Sequence, residues 1–585
     1  MSSLPCSLKE KRGWILLVLV AFIIRLIDLG HRAMSHDESL HAQYSWYLSN
    51  GLNYEHNPMM HGPLLFHLNG FLYSFLPGTD FVSLLIPALW GTGCVALLFL
   101  FRRWWGSAGA FASALLVCFE PTHLFYSRYL RNDITVSFFT LLMLWAILDY
   151  RETKKPRSLI WLGLGLGFQF VTKETCFILG TVFGFACVVL AMIETKKASF
   201  FVWGKSLLSH PFFHCAALLL LLALPFAGAL LHPLLGWDPL DNRTSSGQIR
   251  ILGIAGGILM ASILAGSVYF YFQKRLLAFA EAMGIFWILQ ILLYTTLLTN
   301  PAQGMASGVA GSLGYWLSQH DVNRGNPDPF FYVTLLLLYT PVLLLAGSLT
   351  LRWIKRPPVA YVWIFFLGNL FIYSWAGERM PWLLMHITLP LCLLSGIAIS
   401  SLFASQGHRI VKGIILLGCF QLLANSLRVN GPLSEGASEP LMYAHAGPDI
   451  KTSLLLIEEH LQTNPGTSVL IDNDFSWPLA WYFREAGIGY IDIEESTIAE
   501  NISVIIVSPG SEDRYREEGW ISRIRVDMIT WPRPQYHRIS LENLDNVIRN
   551  SKVRKKFFRY YLFRDQPEWG ETEWPGPSRY VVMTR

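Results

Sequence analysis

Charge is what this sequence has least of. Asp, Glu, Lys and Arg make up only 15% of its 585 residues, while 52% are hydrophobic and 14% aromatic; an ordinary soluble domain carries roughly 25% charged residues. So thin a supply of charge excludes a soluble globule of this length, and the bilayer becomes the solvent for most of the chain. Cysteine is sparse as well. Cys6, Cys94, Cys118, Cys176, Cys187, Cys215, Cys392 and Cys419 lie in or beside apolar runs or in the short leader, and the hydrophilic tail has none. Neither a disulfide framework nor a Cys-based zinc site is implied. The leader carries Lys9, Lys11 and Arg12 but no small-residue cleavage site follows, so the first apolar run is expected to stay as a span. No internal repeat is evident, and no nucleic-acid partner, cofactor or metal is expected.

What is present is a recurrence of apolar runs, each long enough to cross a hydrocarbon core of roughly 30 Å as a helix. About thirteen can be drawn, from Gly13 to Gly30 at the start to Ile410 to Leu427 at the end. Basic pairs such as Arg102 and Arg103, Lys154 and Lys155, Lys196 and Lys197, Lys274 and Arg275 fall in alternate loops. The positive-inside rule makes those loops and the N-terminus cytoplasmic, and an odd number of spans then puts the tail outside. The opposite loops hold Asp37, Glu38, Asp133, Glu174 and Glu378 with many of the histidines. The first of these loops contains LLFHLNGFLYSFL, too short to span and expected as an interfacial helix. After Arg428 the pattern becomes that of a small α/β domain, with strand-like SVLID, GYIDI, SVIIVS and RYVVM and the helical KTSLLLIEEHLQ. The expected division is a transmembrane domain at residues 1–427 and an outer domain at 428–585.

Three short outer segments carry ionisable groups. In SHDES, Ser35 and Glu38 have capping-box spacing, which accounts for Glu38 as part of a helix start and leaves Asp37 over as a candidate general base. In RYLRND, Arg128 to Asp133, the Asn or Asp also suits a helix cap. In TKET, Lys173 also suits a snorkelling interface lysine. Asp472 and Asp474 form a D-x-D at a strand end, where a turn is the commoner explanation. The histidines of the first loop lack zinc-ligand spacing and are expected to serve as hydrogen-bonding groups.

At these residues the chain resembles the GT-C fold transferases of the protein O-mannosyltransferase and aminoarabinose transferase type. IIRLIDLG leads to Asp37 and Glu38 like the family's Asp-Glu pair, HGPLLFHLNGFLYSFL is similar to its juxtamembrane helix, RYLRND keeps its Arg, aromatic and Asp, and TKET its Thr-Lys turn. YWLSQHDVNRGNPDPFFY and SWAGERMPWLLMHITLP are similar to a narrower prokaryotic subgroup labelled flippase-activity-associated. The resemblance implies a polytopic α-helical membrane protein of the GT-C fold that moves a sugar from a polyprenyl-phosphate-linked donor to a protein, lipid or glycan hydroxyl, with inversion, on the outer face of a plasma membrane. It implies Asp37 as catalytic base with Glu38 beside it supporting the acceptor site or the helix start, Arg128 and Asp133 organising the pocket, and Lys173 near the lipid phosphate. Arg324 and Arg379 are further phosphate-clamp candidates because Arg pairs with phosphate bidentately, although a loop salt bridge explains either equally well.

Three rivals remain. An oligosaccharyltransferase shares the fold, but no WWD-type motif is present in the tail. A flippase for lipid-linked sugars would be expected to show repeats and midplane charges. An accessory protein without transferase activity is the third.

Overall fold

The computed structural model describes residues 7–195, 200–319, 328–431, 439–485, 488–493, 498–530, 549–563 and 578–585. Its apolar runs fold as helices because a backbone in hydrocarbon must satisfy its own hydrogen bonds. Helix α1 (Leu8–Leu26) starts at Ser7, whose side chain accepts from the Glu10 amide. The first loop at the other end of α1 is ordered as α2 (His36–Ser49) and the short α3 (Leu64–Tyr73). There follow α4 (Asp80–Leu97), α5 (Arg102–Phe119), α6 (Pro121–Tyr126), α7 (Asp133–Thr153), α8 (Pro156–Phe170) and α9 (Thr175–Glu194). Helix α7 is the interior one, packed on α4 and α8, and α5 lies along Leu384–Ala404.

Among the described residues nine helices are long and apolar enough to cross a membrane, or ten if Phe331–Tyr339 and Pro341–Trp353, bent by 93°, make one crossing. The sequence led us to expect about thirteen, and the difference has local causes. Asp80–Phe119 forms one run of 40 residues, interrupted at Gly106 (φ 70°), a backbone that glycine adopts without strain. Helix α8 has only 15 residues, and α1 carries charge in both its first and last turns. LLFHLNGFLYSFL is helical over 10 residues, too few to span.

Charge collects at the two ends of the bundle. At one end Arg102 pairs with Glu10 (3.0 Å), Arg103 with Asp149 (3.2 Å) and Glu152 (2.5 Å), and Arg151 with Glu194 (3.0 Å). The N-terminus and the first basic loops therefore share a face. The opposite end holds α2, α3, α6 and the turn between α8 and α9.

On that opposite end sits a six-stranded sheet in the order β1-β5-β6-β4-β2-β3. Its strands are β1 (His445–Ala446), β2 (Ser468–Asp472), β3 (Ile488–Ile491), β4 (Ile502–Val507), β5 (Ile521–Thr530) and β6 (Ser578–Thr584). β2 pairs parallel with β3 and β4, and the other pairings are antiparallel. The four strand-like runs fall on β2, β3, β4 and β6, and the helical run on Asp449–Thr463. β5 was not anticipated, although its alternation of Ile524, Val526 and Met528 with Arg523, Arg525 and Asp527 is the period-two signal of a strand. In the D-x-D, Asp472 accepts from the Asp474 amide (3.1 Å), the arrangement of a turn. The helix Ser551–Phe563, within the basic stretch of the tail, lies against the bundle: Gln421 donates to the Tyr561 hydroxyl (3.3 Å) and Arg428 to the Leu562 carbonyl.

The sheet domain docks through one carboxylate. Asp80, in the first turn of α4, accepts from Trp481 Nε1 (2.9 Å) and the Tyr482 hydroxyl (2.9 Å) and pairs with Lys451 (3.3 Å). Tyr482 in turn accepts from the Met34 amide (2.8 Å), and Arg484 donates to the Gly78 carbonyl (2.6 Å). Replacing Asp80 with Ala strands the buried Trp481 donor, at a cost of about 1–3 kcal/mol, and the partly buried Tyr482 hydroxyl. The expected outcome is faster release of the sheet domain under limited proteolysis of the protein in nanodiscs; an unchanged cleavage rate would show that the remaining contacts hold the domain without Asp80.

Candidate active site

The site starts from the cap of α2. Ser35 and Glu38 form a complete capping box, as the S-x-x-E spacing predicts. Glu38 does more than cap. Its Oε1 accepts from Arg32 Nη2 (2.9 Å) and the Leu130 amide (3.0 Å), and its Oε2 from Arg32 Nη1 (2.8 Å) and the Ser35 amide (3.0 Å). With no solvent exposure and both oxygens taken, Glu38 does not reach a cavity. Of the two places expected for it, the acceptor site and the helix start, Glu38 occupies the second, and its carboxylate also pins α2 to the 127–132 turn.

That pin decides which arginine faces the site. Arg128 Nη2 donates to the Ile27 carbonyl (2.5 Å) and Nη1 to Asn430 (3.4 Å), and Arg128 lines a separate cavity of about 210 Å³ with Asp28, His31 and Arg32. The expectation that Arg128 organises the Asp37 pocket is corrected. Held at Leu130, the turn points Arg131 there instead. Arg131 Nη1 donates to Asp37 Oδ2, its Nε lies 3.6 Å from Asp133 Oδ2, and its guanidinium stacks 3.5 Å above the Trp382 ring.

Asp133 opens α7 and is fully buried. Its oxygens accept from Lys173 Nζ at 2.7 and 2.8 Å, and His386 Nε2 lies 3.2 Å from Oδ1. Asp37, Arg131, Asp133 and Lys173 therefore form a continuous row of alternating charge. Asp37 alone of the two acids keeps a partly exposed side chain, at 28%. Burial by itself would raise its carboxyl, but the Arg131 guanidinium outweighs that and holds it well below the usual carboxylate range. Burial, opposed by Asp133, lowers the Lys173 ammonium.

Two adjoining cavities open on this row. The larger, about 390 Å³, is lined by Asp37, His41, Arg131, Met380 and Tyr443 among others. The smaller, about 170 Å³, is lined by Lys173, Glu174 and the apolar surfaces of Ile178, Tyr373 and Leu383. His61, Trp316, Glu378 and Trp382 line both. Three of the first-loop histidines make side-chain hydrogen bonds: His41 to the Asp37 carbonyl (2.6 Å), His56 to Ser307 (2.8 Å) and His61 to Glu174 (2.8 Å). Among the described residues no group of three His, Cys, Asp or Glu is arranged to hold a metal ion.

Of the arginine candidates, Arg379 turns its Nε to the Ser374 carbonyl (2.8 Å) at the preceding helix end and is not among the residues lining either cavity. Arg324 lies outside the described residues. Local pattern assigns no role to Arg131, His386 or Trp382, and does not pair His61 with Glu174. His386 did carry a signal, since an ionisable residue inside an apolar span is a functional candidate by default.

A buried ion pair broken on one side costs about 3–5 kcal/mol. Lys173→Met is therefore expected to destabilise the protein strongly, and Asp133→Asn with Lys173→Met to recover part of the loss, as read from thermal midpoints in nanodiscs. Additive losses would mean the two residues are not a coupled pair.

Residues 60–228 match the family model described as dolichyl-phosphate-mannose-protein mannosyltransferase. No curated protein sequence matches the chain. Among solved structures, the oligosaccharyltransferase AglB of Archaeoglobus fulgidus, in complex with an inhibitory peptide and a dolichol-phosphate, is 12% identical with a TM-score of 0.51, over 99% of this chain and 89% of that one. ArnT of Cupriavidus metallidurans, bound to undecaprenyl phosphate, is 14% identical with a TM-score of 0.39, over 88% and 96%. The protein O-mannosyltransferase Pmt1-Pmt2 complex of S. cerevisiae, bound to the sugar donor, is 19% identical with a TM-score of 0.30, over 47% and 35%. The similarity at AglB extends over nearly the whole of this chain and is one of fold. The chain is a multi-pass membrane protein of the GT-C fold, and its residues 60–228 are similar to a mannosyltransferase family model.

Proposed function

We propose that this protein transfers a sugar from a polyprenyl-phosphate-linked donor to an acceptor hydroxyl on the extracytoplasmic face of the membrane, with Asp37 as base and inversion at the anomeric carbon. The observation that carries the reading is the row Asp37, Arg131, Asp133, Lys173 beneath two adjoining cavities. The smaller cavity has a cation at one end and apolar walls, the chemistry of a phosphate joined to an isoprenoid tail. The larger offers an ionised carboxylate with room for a saccharide and an acceptor.

The donor's phosphodiester carries one negative charge and a second develops as the sugar departs. Lys173 and Arg131 stabilise that charge as it develops, and so favour the transition state over the bound ground state. A polyprenyl phosphate is a good leaving group, so no general acid is needed for bond cleavage. The acceptor O–H gives its proton to Asp37 as the new bond forms to the anomeric carbon and the bond to phosphate breaks. In the free protein Arg131 keeps Asp37 a weak base. A donor phosphate drawing on Arg131 loosens that pair and raises the basicity of Asp37 as the substrate arrives. Asp133, fixed by Lys173 and His386, holds both cations in place without touching substrate. Glu38 contributes by position alone.

The family match at residues 60–228 supports this reading, as does the occurrence of lipid phosphates in the solved structures of AglB and ArnT. The test is sugar transfer in isolated membranes from labelled polyprenyl-phosphate mannose, glucose and aminoarabinose. Asp37→Asn is expected to lower transfer by about 10²–10⁴-fold while leaving the protein folded. If lipid-linked sugar instead crosses the membrane equally well with both proteins and none is transferred, the activity is that of a carrier and Asp37 is no base.

A further inference from the structure

The transferase reading leaves a proton unaccounted for. Asp37 ends each turnover protonated in the larger cavity, while the leaving phosphomonoester, in the smaller one, has gained a negative charge. A second turnover requires the proton to leave Asp37, and the departing phosphate oxygen gains basicity as the sugar leaves. A group on the boundary between the two cavities is placed to carry the proton from one to the other.

Four side chains line both cavities, His61, Trp316, Glu378 and Trp382. Of the two that exchange protons, His61 is held in a built setting. Its Nδ1 lies 2.8 Å from Glu174 Oε2, with side-chain exposures of 7% and 9%. Its ring stacks on Trp316 at 5.1 Å between centroids. Its backbone sits at φ 66°, a strained conformation for a residue with a side chain. Gly62 is forced as well: a Cβ there would fall 2.4 Å from the Val171 carbonyl. The Gly62 and Leu64 amides bond to the Thr172 and Val171 carbonyls (3.1 and 2.9 Å), locking the loop to the turn that carries Lys173 and Glu174. Strain kept at a cavity wall is a mark of a functional placement.

We infer that His61, positioned by Glu174, returns the acceptor's proton to the departing lipid phosphate. This inference rests on the transferase reading of the same site. At rest Glu174 is a neutral acid donating to His61 Nδ1, and the imidazole carries its own proton on Nε2. The phosphomonoester dianion takes the Nε2 proton as Glu174 passes its proton to Nδ1, leaving a neutral His61, a Glu174 carboxylate and a monoanionic product. Asp37 then gives its proton to Nε2 and the Nδ1 proton returns to Glu174. One proton moves from acceptor to product, and every group is reset.

The electrostatics of the pair agree with this order. Burial pushes the Glu174 carboxyl up to about 8, opposed by Lys173. Burial, reinforced by Lys173 and Arg131 and opposed by Asp133, holds the His61 imidazole well below its ordinary value. His41 and Glu378 also face the pair, and Cys176 and Tyr294 feel the Glu174 charge. The transferable proton is thus present below about pH 8 and lost as pH rises through it.

The test uses the full-length protein in nanodiscs with two probes, undecaprenyl phosphate as the monoester and undecaprenyl-phosphate mannose as the diester, titrated between roughly pH 6.5 and 9.5. Monoester affinity is expected to hold steady to about pH 8 and then weaken by about tenfold per pH unit, with no such break for the diester. Glu174→Gln and His61→Gln should abolish the break, and Glu174→Asp should restore it, with a thermal melt confirming that each variant folds. A break that persists in Glu174→Gln, or one shared by the diester, overturns the relay alone. If neither probe binds the native protein, the lipid-phosphate reading of the site fails and the relay with it.

Discussion

Asp133 has no exposure to solvent, and both of its carboxylate oxygens are occupied by the Lys173 ammonium. A lone carboxylate at that depth would carry a desolvation penalty of several kcal/mol, so α7, the turn after α8 and the helix bearing His386 can come together only with all their charged groups in register. Arg131 extends the same requirement to Asp37, and through Asp37 to α2. The row is in this sense also the clamp on the outer ends of three helices and a loop, tightest at the buried pair of Asp133 and Lys173.

The second level of organisation is the fixing of an irregular turn by a buried acid. Residues 127–132 have no regular structure, yet the Glu38 carboxylate takes the Leu130 amide and the Ser35 hydroxyl meets that of Tyr129 at 2.6 Å. The turn is thereby tied to the cap of α2, and the direction of Arg131 follows. The sheet domain adds the outer wall. The His36 amide bonds to the Ala444 carbonyl (3.4 Å), and Tyr443 lines the larger cavity while packing edge-on against Trp382. The boundary between bundle and sheet therefore runs beside the site.

Much of this was legible beforehand. The apolar runs announced helices because a bilayer leaves them no other structure, and the capping box at Ser35 read true because its two hydrogen bonds are local in sequence. The parallel strands SVLID and SVIIVS stood out as short continuous apolar runs, as strands covered on both faces do. The polar-alternating β5 did not stand out, since its pairing with β6 lies some fifty residues further along the chain and its own composition is that of a solvated edge.

By itself the sequence determined the solvent of the chain, the positions of its helices, the change to an α/β domain after the last span, and the collection of Asp37, Asp133 and Lys173 at one set of loops. These follow from composition and local spacing, which act over one or two turns of chain. Only the tertiary structure decided that Arg131 and not Arg128 meets Asp37, that the Glu38 carboxylate holds a turn, and that His61, paired with Glu174, lines both cavities. Those outcomes depend on partners tens to hundreds of residues apart, whose pairing is set by the desolvation cost of leaving any one of the buried charges alone.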